Sequence, residues 1–336
     1  MSVVDAFPHI IPRACLERFF DVAHGPALDF LRGLRGRAYL APMWDLDARF
    51  RSMDAVEGYV QVLTLCLPPI EQMASGQVAT DLARFANDSM AALVARHPDR
   101  FVGFAASLPM DDVESSIREL DRAVEDLGAL GVQVFTNANG RALDDASFEV
   151  LWDRLEELER SAWVHGARQP TTPDYTGENR SRYGLWAALG WPYEMGMFAA
   201  RMVASGVLDR HSSLRFYLHH SGGMMPTFSR RVNGSWLELQ AAEAEDERAY
   251  AALRRPPAEY FQQFYADTSG QSPVAIRAAI DFLGAERVLL GSDAPFMSPA
   301  DHLATLKRLQ LPPEQYDLLV NGNARRLLSL VEPGPA

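Results

Sequence analysis

An α/β barrel of eight parallel strands, a (β/α)8 TIM barrel, is the fold this sequence predicts, and three observations point to it. Short apolar, β-branched or aromatic runs recur eight times; helix-like stretches lie between most of them; and 336 residues suffice for one large barrel. Length alone would also allow two small domains, but the strand count in one unbroken alternation favours a single unit spanning residues 1–336. The runs are nearly continuous in apolar residues, as a parallel sheet covered on both faces requires.

Taken in order, the runs are VVDAF (3–7), YVQVLTLC (59–66), FVGFAASL (101–108), GVQVFTN (131–137), SAWVHG (161–166), LRFYLHH (214–220), FYADTS (264–269) and VLLGSDAP (288–295). The first, read through VVDAFPHIIP, suggests a strand that ends in a turn at Pro12, with Asp5, Phe7 and His9 on one face. DLARFANDSMAALVARH reads as a helix, and DVESSIRELDRAVEDLGALG as another that opens with acids in its first turn and closes on Gly131. The connections 13–58 and 167–213 are longer than a barrel needs, and both leave the C-terminal ends of strands, so they should overhang the face where barrel sites lie. The acidic stretch QAAEAEDERAYAAL (240–253) reads as a solvated helix, and no internal repeat or low-complexity segment is evident.

Composition limits the function. The chain is 48% hydrophobic and carries 32 basic against 44 acidic residues, a formal charge of -12, which argues against a nucleic-acid or anionic-membrane partner and for a small-molecule one. The two cysteines, Cys15 and Cys66, form no CxxC pair, so neither a disulfide framework nor a zinc ribbon is expected, and a reducing cytoplasm fits. There is no basic start followed by a long apolar run, and no apolar stretch reaches the roughly 18 residues a membrane span needs.

Four polar residues stand at or just past the ends of the expected strands: His9, His165, His220 and Asp293. In a barrel such ends converge on one mouth. A lone histidine there is ordinarily a hydrogen-bonded structural residue; three imidazoles and a carboxylate together are a ligand set for zinc or a similar divalent ion.

The segments DAFPHIIP, WVHG, RFYLHHSGGMMP, FYADTSG, RVLLGSDAPF and NGNARRLL, in that order, resemble the amidohydrolase superfamily. Within it they look like the branch containing α-amino-β-carboxymuconate-semialdehyde decarboxylase and the hydroxybenzoate decarboxylases. WDLDARFRSMDAVEGYVQVLTLCLPP and GWPYEMGMFAARMVASGVLDRHSSLRF extend the resemblance over nearly the whole chain. The resemblance implies His9, His165 and Asp293 as metal ligands and His220 as the strand-six histidine that holds and activates water. It implies a structural role for His219, which stands where the family has a small residue. Arg231 matches an arginine that grips the substrate carboxylate across a dimer interface, so a homodimer is expected, and either Arg49 or Arg51 would supply a second such arginine. Trp191, in GWPYEMGMF, is placed with the substrate-binding residues.

The sequence departs from this pattern at Phe7, where the family has the first histidine of an Asp-x-His-x-His strand. Phenylalanine cannot coordinate a metal, but two histidines and a carboxylate remain a workable catalytic set, with zinc as the expected ion and manganese as the alternative. Phe7 is then expected to stack on a flat substrate. Ala294 stands where tyrosine is common, and the HSGG segment lacks the acid found three positions past the histidine in some hydroxybenzoate decarboxylases, which leans toward the muconate-type arrangement. The resemblance implies non-oxidative decarboxylation of a small aromatic or unsaturated carboxylic acid, with His220 or Asp293 moving the proton. Two rival readings use the same residues: a metal-dependent hydrolase or hydratase of a small cyclic or amide substrate, and a metal-free binding barrel in which Phe7 marks a lost site.

Overall fold

The computed structural model describes residues 2–239, 249–269 and 272–330. Eight parallel strands form the sheet: β1 (Val3–Asp5), β2 (Tyr59–Leu65), β3 (Phe101–Ser107), β4 (Gly131–Phe135), β5 (Ser161–His165), β6 (Arg215–Leu218), β7 (Tyr265–Asp267) and β8 (Val288–Leu289). Each pairs in parallel with the next in sequence, from Val4 opposite Val60 in the first pair to Asp267 opposite Leu289 in the last. The seam between β8 and β1 is closed by backbone bonds: Ala6 N–H donates to the Leu290 carbonyl at 2.8 Å and His9 N–H to the Ala294 carbonyl at 2.6 Å. This is the TIM-barrel architecture expected from the eight apolar runs, and every run holds one strand.

Alternation sets what faces the barrel axis. Val4, Val62, Ala105, Trp163, Tyr217 and Leu289 pack together inside the barrel. Phe104, Val132, Val134, Val164, Phe216 and Leu218 belong instead to the larger core shared with the helices. Trp163 is fully buried and its indole N–H donates to the Ala6 carbonyl at 2.8 Å, so the largest interior ring leaves no polar atom unpaired.

Two local readings differ from the sequence expectation. The chain bends at Ala6 and Phe7, and a two-residue extension, His9–Ile10, then pairs again with β2. That bend interrupts the period-two alternation, so Asp5 bonds across the seam to Ser292 while Phe7 joins the barrel interior. The helix Val113–Glu125 starts at Asp112, whose carboxylate accepts from the N–H of Glu114 and of Ser115, but it ends at Glu125, and Gly131 opens β4. The acidic stretch 240–253 lies mostly outside the described residues. Among the described residues no helix is long and apolar enough to cross a membrane.

Both long connections fold over the mouth. The first carries the helices Arg13–Val22, Gly25–Arg35 and Leu46–Met53, and the second carries Leu185–Ala188 and Gly190–Ala204. They meet at an aromatic edge, Phe30 on Trp186 at 6.1 Å between ring centroids, and within the second connection Trp186 meets Trp191 at 5.2 Å.

Candidate metal centre

Above the ring layer of Trp163, Tyr217 and Tyr265, the next inward positions are His165 on β5, His219 one residue past the end of β6, and Asp267 on β7. Strand period alone aims these three side chains at the axis. His9 enters from the extension after β1 and Asp293 from the turn after β8. Ligand nitrogens of His9, His165 and His219 lie within 4.8 Å of one another, and His219, His220 and Asp293 form a second, overlapping group by the same measure.

Hydrogen bonding fixes which nitrogen of each ring is free. Thr64 spends its hydroxyl proton on the Pro8 carbonyl, so toward His9 Nδ1, 3.2 Å away, it can only accept. His165 Nδ1 lies 2.9 Å from the Gly166 carbonyl, again an acceptor. His219 Nδ1 is bonded to the Asp267 carboxylate. In all three rings Nδ1 therefore carries a proton, and Nε2 is the nitrogen left for a ligand. His9 Nε2 and His219 Nε2 are buried and make no hydrogen bond, although Asp293 Oδ1 lies 3.3 Å from the first and 3.6 Å from the second. Buried nitrogens without a partner are costly in an ordinary core. These two, with the His165 ring beside them and the Asp293 carboxylate, are the donor set a divalent transition-metal ion fits.

The electrostatics divide the cluster. Burial pushes His165 well below its ordinary value, with His219, His220 and His9 acting in the same direction. Burial also lowers His9, against the opposing pull of Asp293. His219 goes the other way: burial alone would lower it, but Asp267 and Asp293 outweigh that and raise it to about 9. Asp293, which burial would raise, is held well below the usual carboxylate range by His219 and His9. His220 is pushed down to about 3 by burial and by its neighbour His219. Its ring stacks on Trp191 at 5.7 Å with 7° between planes, and its buried Nδ1 has no partner. His220, Ser221 and Asp293 all have positive φ, between 54° and 62°, a conformation that costs non-glycine residues about 1–3 kcal/mol each and gathers at functional sites.

The remaining expected residues take separate places. Phe7 is 1% exposed and lies under His219, ring centroids 4.1 Å apart and tilted by 30°, so it presents no face to the cavity above. Arg49 is equally buried; its guanidinium donates to the His9 carbonyl at 2.8 Å, the Pro42 carbonyl at 3.1 Å and Gln61 Oε1 at 2.8 Å, which makes it a strut beneath His9. Arg51 and Arg231 are exposed on the helices Leu46–Met53 and Met225–Leu239, outside the cluster. Trp191 does belong to the site, edge-on to His165 at 5.0 Å. With Phe30, Trp186 and Phe296 it walls a cavity of about 660 Å³ that also receives Arg37 and Arg180. Phe296 in turn meets His9 at 6.0 Å, joining the cavity to the cluster.

His219 is the residue that the sequence reading assigned to structure and that the fold sets at the centre. A signal was available: Tyr217 faces inward, and His219, two positions later, shares its side of the strand.

Comparison with known proteins agrees with this architecture. A family model described as amidohydrolase matches residues 40–330. γ-Resorcylate decarboxylase of Polaromonas sp. is 31% identical over 268 residues, covering 77% of this chain and 79% of that protein. 2-Amino-3-carboxymuconate-6-semialdehyde decarboxylase of Dictyostelium discoideum is 29% identical over 292 residues, 85% of this chain and 77% of the other. Among solved structures, 2,6-dihydroxybenzoate decarboxylase complexed with 2,6-dihydroxybenzoate superposes with a TM-score of 0.81 at 26% identity, over 98% of this chain and 100% of that one. A dihydroxybenzoic acid decarboxylase from Polaromonas sp., with bound manganese and the inhibitor 2-nitroresorcinol, gives 0.79 at 25% identity, over 98% and 97%. With the model match running through seven of the eight strands and decarboxylases as its relatives on both counts, the chain belongs to the amidohydrolase family.

Proposed function

We propose that this protein is a divalent-metal-dependent, non-oxidative decarboxylase of a small aromatic carboxylic acid. The observation that carries the reading is the convergence of buried imidazoles and Asp293 beside a cavity walled by aromatic rings, two of which, Trp191 and Phe296, also touch the imidazoles. His9, His165 and Asp293 would hold the ion. Manganese is the first ion to test, because the Polaromonas relative holds it, and zinc the second. A bound ion would supply Lewis acidity toward the carboxylate or a neighbouring hydroxyl of the acid.

The flat walls of Trp191, Trp186 and Phe30 suit a planar ring, and Arg37 and Arg180 offer charge to a carboxylate. The reaction exchanges CO2 for a proton. The proton adds to the ring carbon that bears the carboxylate; the bond from that carbon to the carboxylate carbon then breaks, its electron pair returns to the ring, and CO2 leaves. His9, His165 and His219 are sealed from solvent, whereas Asp293 and His220 are partly open, so these two are within reach of solvent protons. Asp293 rests ionised and His220 neutral at pH 7, so the proton is taken up after the substrate binds. We assign its delivery to Asp293 and the orienting of the substrate beside Trp191 to His220. The exposed Arg231 is available to a second copy of the chain, and a homodimer is the proposed assembly.

The test is a panel of hydroxybenzoic acids offered to manganese-loaded and to zinc-loaded protein, with CO2 and the decarboxylated ring measured together. Release of both in equal amounts, abolished by Asp293→Asn, is the expected result. Ring opening or water addition without CO2 would instead identify a hydrolase or hydratase, and no turnover with any acid would sink the enzyme reading.

A further inference from the structure

The cluster contains one imidazole more than the expected ligand set accounts for, and one fewer on the first strand. Phe7, two residues before His9, has no atom that can bind a metal. His219, from the far side of the barrel, brings its Nε2 into the space beside His9 and His165. We infer that His219 supplies the third imidazole of the metal centre, in place of a first-strand histidine, and that Phe7 is its positioning residue. The inference rests on the metal-dependent reading proposed above.

Four features support it. The Nε2 atom of His219 is buried and unpartnered, as a ligand nitrogen must be before an ion arrives. Its Nδ1 is bonded to Asp267, the carboxylate–histidine arrangement that orients a metal-binding ring and raises its basicity. Asp267 is itself fixed, accepting from the N–H of Ser221 at 3.1 Å, the N–H of Ser269 at 3.0 Å and the Ser269 hydroxyl at 2.9 Å. Finally, the Phe7 ring lies against the imidazole and shares the barrel floor with Val4 and Trp163, so the side chain that cannot ligate fixes the tilt of one that can. His220 shares the first feature, since its Nδ1 is also buried without a partner, but it lacks the other three: its ring is turned onto Trp191, and no carboxylate among the described residues is hydrogen-bonded to either nitrogen.

The experiment measures metal content and affinity for manganese, zinc and cobalt(II), with the visible spectrum of the cobalt form, in the wild type and four variants. These are His219→Ala, His220→Ala, Phe7→His and the double variant Phe7→His with His219→Ala. His219→Ala should lose affinity by at least about 100-fold, the upper range seen when even a supporting residue of a metal site is removed. His220→Ala should keep one ion per chain, and Phe7→His alone should change affinity little, because the position beside it is already filled. Restoring an imidazole at position 7 in the His219→Ala background should recover ten-fold or more. Metal binding that survives His219→Ala but not His220→Ala would overturn the assignment while leaving the decarboxylase reading intact. Failure of the wild type to bind any of the three ions would overturn both. X-ray absorption of the loaded wild type decides independently of variant folding: three imidazoles support the inference and two refute it.

Discussion

Glu71 is a carboxylic acid buried beside the barrel with no partner for Oε1. Burial raises it from an ordinary value of 4.5 to about 8, with Asp111 adding to the effect. Between those two values the folded chain keeps a proton that the unfolded chain releases, so stability falls as pH rises, by at most about 1.4 kcal/mol per pH unit. Below the lower value, and above the higher one, both states carry the same charge and the slope vanishes. Glu71→Gln removes the titration. Relative to this variant, the wild type should lose melting temperature steadily from pH 5 to pH 8, as followed by scanning fluorimetry; a gap that stays constant would mean that Glu71 is already ionised and paired. At this scale the sequence was legible where a polar residue closes an apolar run, as His165 and Asp293 do. It was illegible at Arg49, which sits between Ala48 and Phe50 in a charged helix and reads as surface. The carbonyls of His9 and Pro42 and the amide oxygen of Gln61, brought together by the fold, make its burial tolerable.

The eight strands were legible because a parallel sheet covered by helices leaves each strand apolar on both faces, a pattern few other elements imitate. The segment after β6 was not. His220, Ser221, Gly222 and Gly223 follow one another with positive φ, and two of these four are residues that seldom adopt it. What holds them lies on β7 and beyond: the Ser269 hydroxyl accepts from His220 N–H at 2.9 Å, and the Ser221 hydroxyl donates to the Ser269 carbonyl at 2.5 Å. Such partners, nearly fifty residues away, leave no local mark. Gly223 is where this turn meets the helix Gly190–Ala204. A Cβ there would come within 2.6 Å of the Pro192 carbonyl oxygen and 2.7 Å of Met195 Cβ, at a φ of +59°. Gly223→Ala should therefore cost about 2 kcal/mol or more in urea unfolding, because backbone strain and a backbone clash add. It should also part the stack of Trp191 on His220, which near-ultraviolet circular dichroism would register. An unchanged spectrum with unchanged stability would show that the turn has slack.

At the scale of the whole molecule, the barrel is closed by the seam that carries two of its site residues. His9 and Asp293 stand on opposite sides of that seam, and Asp5 ties the sides together below them. One carboxylate oxygen of Asp5 accepts from Ser292 N–H at 2.9 Å, the other from the Ser292 hydroxyl at 2.6 Å, and Tyr59 bonds to it from β2. Asp5 also accepts from Phe7 N–H at 3.3 Å, at the bend that sends Phe7 beneath His219. Asp5→Ala would leave four buried donors without their acceptor, a loss of about 4 kcal/mol or more of unfolding free energy given about 1–3 kcal/mol for each unsatisfied group. Ser292→Ala removes a single hydroxyl and should cost about 1 kcal/mol. Because the same seam spaces His9 from Asp293, metal affinity should fall with stability across the pair of variants, and fall further in Asp5→Ala. If Asp5→Ala is destabilised but binds manganese as tightly as the wild type, the spacing of the ligands is set by the imidazoles and their own partners rather than by closure of the barrel.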